Sequence, residues 1–234
     1  MITLGIDLSS QPANTAASMI DWMDGRAIAW PPCLHCTDEY LLRLIDEADA
    51  TGLDAPFGWP IEFVAAINDW PHDTWSQEGR DRLRFRETDR FVRATQSVWP
   101  LSVSTDTIAL PAMRAMSLLK KCGVTDRSGD GKFFEVYPAA SLRAWNMTSR
   151  GYKEAKKPEC IDARRRMLAS LRVAMPWLVA PDDYAEDADA LDSLVAALTA
   201  RAAWQGRTIQ PGSSQIDAAK REGWIHIPSG IPEP

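Results

Sequence analysis

The chain is poor in the residues that bind metals through sulfur or imidazole. Its 234 residues include three histidines and four cysteines. Cys33 and Cys36 enclose His35 in "CLHC", but a zinc site needs a second ligand pair at matching spacing. Cys122, Cys160, His72 and His226 lie singly, so two reduced thiols on a loop are the expectation. No apolar run approaches the ~20 residues of a membrane-spanning helix, and no membrane partner is expected. The N-terminus lacks a basic region followed by a long apolar one, so no signal peptide and a cytoplasmic location are expected. The net charge of −6 argues against a general binder of nucleic acid.

What is present is an ordinary globular composition, 45% apolar and 25% charged, in which the basic residues are unevenly spread. "RDRLRFRETDRFVR" at 80–93 holds six arginines against three acids, and 150–166 holds seven basic residues against three acidic ones. Each is either an ion-paired solvated helix face or a contact surface for phosphates.

"ITLGIDL" at 2–8 is short, apolar and β-branched, which predicts a buried strand. "NTAASMIDW" at 14–22 and "AIAW" at 27–30 predict two more, joined by the hairpin signal Asp24-Gly25, so the first 32 residues predict a three-stranded antiparallel meander. A helix is expected at 37–49 with Thr37 as N-cap. A very short strand follows and stops at "DAPFGWP". Residues 61–122 carry mostly helical patterns, 125–132 a turn, 133–142 a strand bearing Glu135, 158–175 a helix, and 187–204 the final helix. The tail at 223–230 predicts an edge strand or an ordered extension. Together these predict one α/β domain over 1–234, a mixed sheet flanked by helices, with a helical insertion at about 61–124.

Carboxylates recur at the ends of these elements: Asp7 after "LGI", Asp54 after "TGL", Glu135 within "FFEVY", and Asp189 with Asp192 on the last predicted helix. Each has a plainer role open to it. Asp7 and Asp54 suit turns, Glu135 could face solvent, and acids near a helix N-terminus favour the macrodipole. For Asp192 the helix argues otherwise: it is apolar or small all round, as in a buried helix, so an acid at its start more plausibly faces an internal site. Acids converging beyond strand ends repel one another unless a cation neutralises them, and hard divalent ions prefer such oxygen donors. Two such ions can activate water and stabilise the leaving oxygen of a phosphodiester.

"GIDLSSQPANTA", "GLDAPFGWP", "RETDR", "EVYPAASLRAW", "DALDSLVAALTAR" and "EGWIHIP", in this order, resemble the domain-of-unknown-function 429 family, predicted nucleases with an RNase H-like fold. The resemblance implies a nuclease that uses Mg2+ or Mn2+. Asp7, Asp54, Asp189 and Asp192 match metal-ligand positions, and Glu135 belongs to the family's own "EVYP" motif as a further candidate catalytic acid. Arg86, Thr88, Asp89 and Arg90 of "RETDR" would hold a phosphate or a loop, and Lys153 the nucleic-acid backbone, DNA or RNA. Two other classes stay open. "GIDLSS" also resembles the first phosphate loop of actin-like ATPases, although the chain has only 13 glycines and no Gly-Gly pair. A non-catalytic nucleic-acid-binding module that keeps the acids is the other.

Overall fold

A computed structural model describes residues 1–68, 76–129, 131–154 and 157–234. His72, and part of the expected 125–132 turn and of the 150–166 basic run, lie outside the described residues. Strands β1 (Ile2–Asp7), β2 (Ala16–Met23) and β3 (Arg26–Ala29) form the expected antiparallel meander. Helix α1 (Asp38–Glu47) starts at Thr37, whose hydroxyl accepts from the Tyr40 N–H. Strand β5 (Ala50–Asp54) then returns parallel to β1.

Two very short strands escaped the sequence pattern. These are β4 (Cys33–Leu34), which pairs with β2 and carries one of the "CLHC" thiols, and β7 (Leu178–Val179), which pairs with β3. Two residues are too few to show an alternation. Strand β6 (Phe133–Glu135) lies parallel to β5 but is much shorter than the expected 133–142. Pro138 opens helix α6 (Pro138–Ala144) instead, because proline suits a first helical turn and cannot donate to a sheet. Among the described residues, seven strands form one mixed sheet, ordered β6-β5-β1-β2-β3-β7 with β4 off the path.

Between β5 and β6 run α2 (Ile61–Asn68), α3 (Arg80–Arg84), α4 (Glu87–Gln96) and α5 (Ala109–Lys121). Helix α7 (Pro158–Ala174) and the long α8 (Ala188–Trp204) follow. The expectation that α8 is the last helix is corrected by α9 (Ile216–Glu222), which is too short for an apolar period to stand out. Among the described residues no helix is long and apolar enough to cross a membrane.

The sheet separates two apolar layers. Leu4, Ile6 and Leu53 pack with Leu41, Ile45 and Leu118 of α1 and α5. On the other face Ile20 and Trp22 pack with Leu142, Leu171, Leu191 and Leu194 of α6, α7 and α8. Helix α8 is buried around nearly its whole circumference, as its composition predicts. Its N-cap is Asp187, whose carboxylate accepts from the Asp189 and Ala190 N–H groups.

The tail is the ordered extension, since Ile225 makes a parallel bridge to Glu135 and Pro228 an antiparallel one to Thr208. His226 is sealed beneath it. Its Nδ1 accepts from the Thr208 hydroxyl at 2.9 Å, and its Nε2 donates to the Ser128 carbonyl at 3.0 Å. Burial pushes the imidazole down to about 4 from its ordinary 6.5. The neutral ring is therefore the folded form, while an unfolded chain takes up a proton below 6.5. Its stabilising contribution is complete above that pH and is lost as the pH falls towards about 4. The stability difference in urea between the unaltered protein and His226→Gln is expected to narrow as the pH falls across this window; a constant difference would assign no titration to His226.

Candidate metal centre

Strand parity builds the site. Side chains alternate across a sheet, so Gly5 and Asp7 share the face of β1 that α8 covers, while Leu4 and Ile6 point the other way. Gly52 and Asp54 repeat the arrangement on β5, and the register pairs Gly5 with Gly52 and Asp7 with Asp54. A Cβ on Gly5 would lie 2.0 Å from the Ser193 carbonyl oxygen, and one on Gly52 2.5 Å from that of Ala196. The paired glycines thus let the α8 backbone rest directly on the strands. That close approach brings Asp192, fully buried on α8, to the acids that follow each glycine. One carboxylate oxygen from each of Asp7, Asp54 and Asp192 lies within 4.8 Å of the others.

The local chemistry is that of crowded acids. Burial first, then the negative charges of Asp54 and Asp192, holds Asp7 well above the usual carboxylate range. Burial, with Asp192 and Glu135 adding and Lys153 opposing, pushes Asp54 up to about 8. Two groups hold Asp192: the Tyr152 hydroxyl donates to Oδ1 at 2.7 Å, and the Lys153 ammonium donates to Oδ2. Lys153 is drawn in from the surface, its side chain still 59% exposed. Burial lowers its pKa, but Asp192, Asp7 and Asp54 outweigh that and raise it. Arg164 holds this segment in place, with Nη1 on the Tyr152 carbonyl and Nε and Nη2 on the carbonyls of Ala185 and Glu186. A cleft of about 450 Å³ opens above the acids.

The other expected site residues stand outside the three-acid group, although Arg86 and Glu135 line the same cleft. Asp189 sits one turn before Asp192, partly exposed and outside the three-acid group. Burial and then Asp187 raise its pKa. Glu135 pairs in register with Leu53, not with Asp54, so strand parity sends it to the opposite face. There it meets Arg86, which is 1% exposed. Arg86 donates to Glu135 Oε1 at 2.7 Å, to Asp89 Oδ1 at 2.9 Å and to the Glu222 carbonyl at 3.0 Å. The Phe57 N–H adds a bond to Glu135 Oε2 at 3.0 Å. Thr88 accepts from the Ile225 N–H, and Arg90 donates to Glu87 and to the Phe85 carbonyl. Of the two roles open to "RETDR", these internal bonds match the holding of a loop: they tie α4 to β6, α9 and the tail.

Removing one partner of a buried ion pair costs about 3–5 kcal/mol, because the remaining charge is stranded. Arg86→Met, which leaves Glu135 and Asp89 buried without their cation, is expected to lose stability on that scale in urea unfolding. A loss below about 1 kcal/mol, the scale of an exposed pair, would mean that the network does not hold the insertion in place.

Among the described residues Cys33 and Cys36 are free thiols, Cys33 touches the Tyr40 hydroxyl, and His35 Nδ1 bonds the Ala13 carbonyl. Burial pushes the Cys36 thiol up to about 11, away from reactivity.

Sequence reasoning missed Tyr152 and Arg164, whose roles depend on long-range contacts. It also passed over the doubled G-x-D of "GID" and "GLD", a signal that was present. A family model described as "Protein of unknown function (DUF429)" matches residues 5–215. No curated protein matches the chain.

Proposed function

Since the chain belongs to the DUF429 family, whose description assigns no activity, we propose from the site itself that it is a Mg2+- or Mn2+-dependent nuclease of RNase H-like architecture. One observation carries this reading. Two parallel strands and a helix in backbone contact with them converge three carboxylates to within 4.8 Å. The donor set is all oxygen, which suits a hard divalent cation, and a cation already stands against it in the form of the Lys153 ammonium. Asp7, Asp54 and Asp192 would hold the metal, with Asp189 near enough to add its charge. Bound there, a divalent pair would activate water and stabilise the leaving oxygen of a phosphodiester.

The chain's own groups do the rest. Tyr152 fixes the orientation of Asp192 through its hydroxyl. Lys153, which bonds Asp192 here, would be free to meet a substrate phosphate as a point charge were a metal to take its place. The buried Arg86–Glu135 pair keeps the insertion against the cleft. Calorimetry with Mn2+, followed by cleavage of single- and double-stranded DNA and RNA, tests the assignment. Metal binding with metal-dependent cleavage is the expected result.

A second reading rests on Lys153. An ammonium that neutralises Asp192 is also what a metal-free, non-catalytic module would need. No metal binding by the intact protein, or binding with no turnover on any polymer, would favour that reading.

A further inference from the structure

We propose that the cleft takes single-stranded nucleic acid, with one unstacked nucleotide over the acids and the neighbouring base on Trp99. The inference rests on the nuclease reading of the site and names its substrate class.

Size gives the first argument. The cleft, about 450 Å³, falls in the range of about 300–1,000 Å³ typical of small-ligand sites, which is room for a nucleotide. Charge gives the second. A duplex is held by cations that follow the phosphates of both strands. Among the described residues, the cations lining the cleft are Lys153 and Arg86, and Arg86 is buried with its nitrogens committed to Asp89, Glu135 and Glu222. One available ammonium is a poor match for two backbones and a fair one for a single phosphate.

The wall gives the third. Pro100, Leu101, Ile108 and Pro111 of the insertion, with Tyr137, present apolar and aromatic surface next to the acids. Such surface suits the face of a base, which every unpaired nucleotide exposes.

The residue before the cleft-lining Pro100 is a tryptophan. Trp99, two residues before Leu101, is 42% exposed, although tryptophan usually seeks burial. Its ring is fixed by stacking on buried Phe85, with centroids 4.1 Å apart. The Arg93 guanidinium lies 5.8 Å from the Trp99 centroid, and Arg84 lies 4.8 Å from that of Phe85. A fixed, exposed tryptophan with one arginine beside it combines stacking surface for a base with charge for a single phosphate.

The test compares fluorescein-labelled oligonucleotides, single-stranded and as the blunt duplex of the same sequence, by anisotropy with Ca2+ in place of Mg2+. Single strands should bind at least about tenfold more tightly, Trp99→Ala should weaken them about tenfold, and Trp99→Phe should restore most of the loss. Equal or tighter duplex binding, or an unaltered affinity in Trp99→Ala, overturns the proposal. Mn2+-dependent hydrolysis of bis(4-nitrophenyl) phosphate by the intact protein reports on the nuclease reading separately. Hydrolysis without strand preference removes the substrate class and leaves the reading; strand preference without hydrolysis does the reverse.

Discussion

Gly5→Ala is expected to cost more than about 4 kcal/mol, an exceptional value for one methyl group, or to yield insoluble protein. In an ordinary strand interior the sign would be opposite, since glycine weakens a strand and alanine supplies a side chain to pack. Here the added Cβ would lie 2.0 Å from the Ser193 carbonyl oxygen and 2.2 Å from the Ala197 nitrogen. Both are backbone atoms of α8, so no rotamer change relieves the clash and the helix must lift from the sheet. Lifting it also breaks the Ser18–Ser193 hydroxyl contact of 2.6 Å and withdraws Asp192 from Asp7 and Asp54. Urea unfolding, with Mn2+ calorimetry on whatever folds, checks both consequences. A neutral or stabilising effect would refute direct contact between α8 and β1.

Asp7→Asn is expected to cut metal-dependent cleavage by about a hundred- to a thousandfold, the scale of lost electrostatic stabilisation, while raising the melting temperature of the metal-free protein. The two effects share a cause. Asp7 and Asp54 have folded-state pKa values above their unfolded ones, Asp54 at about 8 against 3.8. The folded chain therefore keeps protons that the unfolded chain has released. Between about pH 4 and pH 8 these two acids therefore contribute a loss of stability to the metal-free protein as the pH rises, opposed below pH 6.5 by His226. Asparagine in place of Asp7 removes one of the repelling charges and flattens that decline. Mn2+ should restore stability to the unaltered protein and much less to the variant, because a ligand bound only by the folded state stabilises it by mass action. Melting curves over this pH range, with and without Mn2+, measure all three. Cleavage by Asp7→Asn at the original rate would remove Asp7 from the chemistry.

These two results probe features of different legibility. Both acids and both glycines stand in the sequence as "LGID" and "TGLD", and period-two alternation alone puts each glycine and its acid on one face. The composition of α8 likewise announces a helix buried all round, which narrows the possible position of Asp192. The direction of Glu135 was not legible, because it depends on β6 pairing Leu53 with Glu135, a register that no local pattern specifies. The choice for Arg86 between a phosphate and a loop was open for the same reason: an arginine's partner is whatever acid the fold brings near, and here it brought Glu135 from 49 residues away. The strand expected through residue 142 ended at Glu135 because Pro138 starts a helix, a stop that the proline itself could have signalled.

By itself, then, the sequence determined the α/β layering, the antiparallel meander, the buried helix and the two strand-end acids. Each of these follows from short-range periodicity and the stereochemistry of glycine and proline. Only the tertiary structure decided that Asp192 closes the acid group, that Tyr152 and Lys153 hold it, and that Arg86 and Glu135 neutralise each other on the opposite face. Those outcomes depend on which distant charges share a low-dielectric space, and that is set by packing and register rather than by neighbours along the chain.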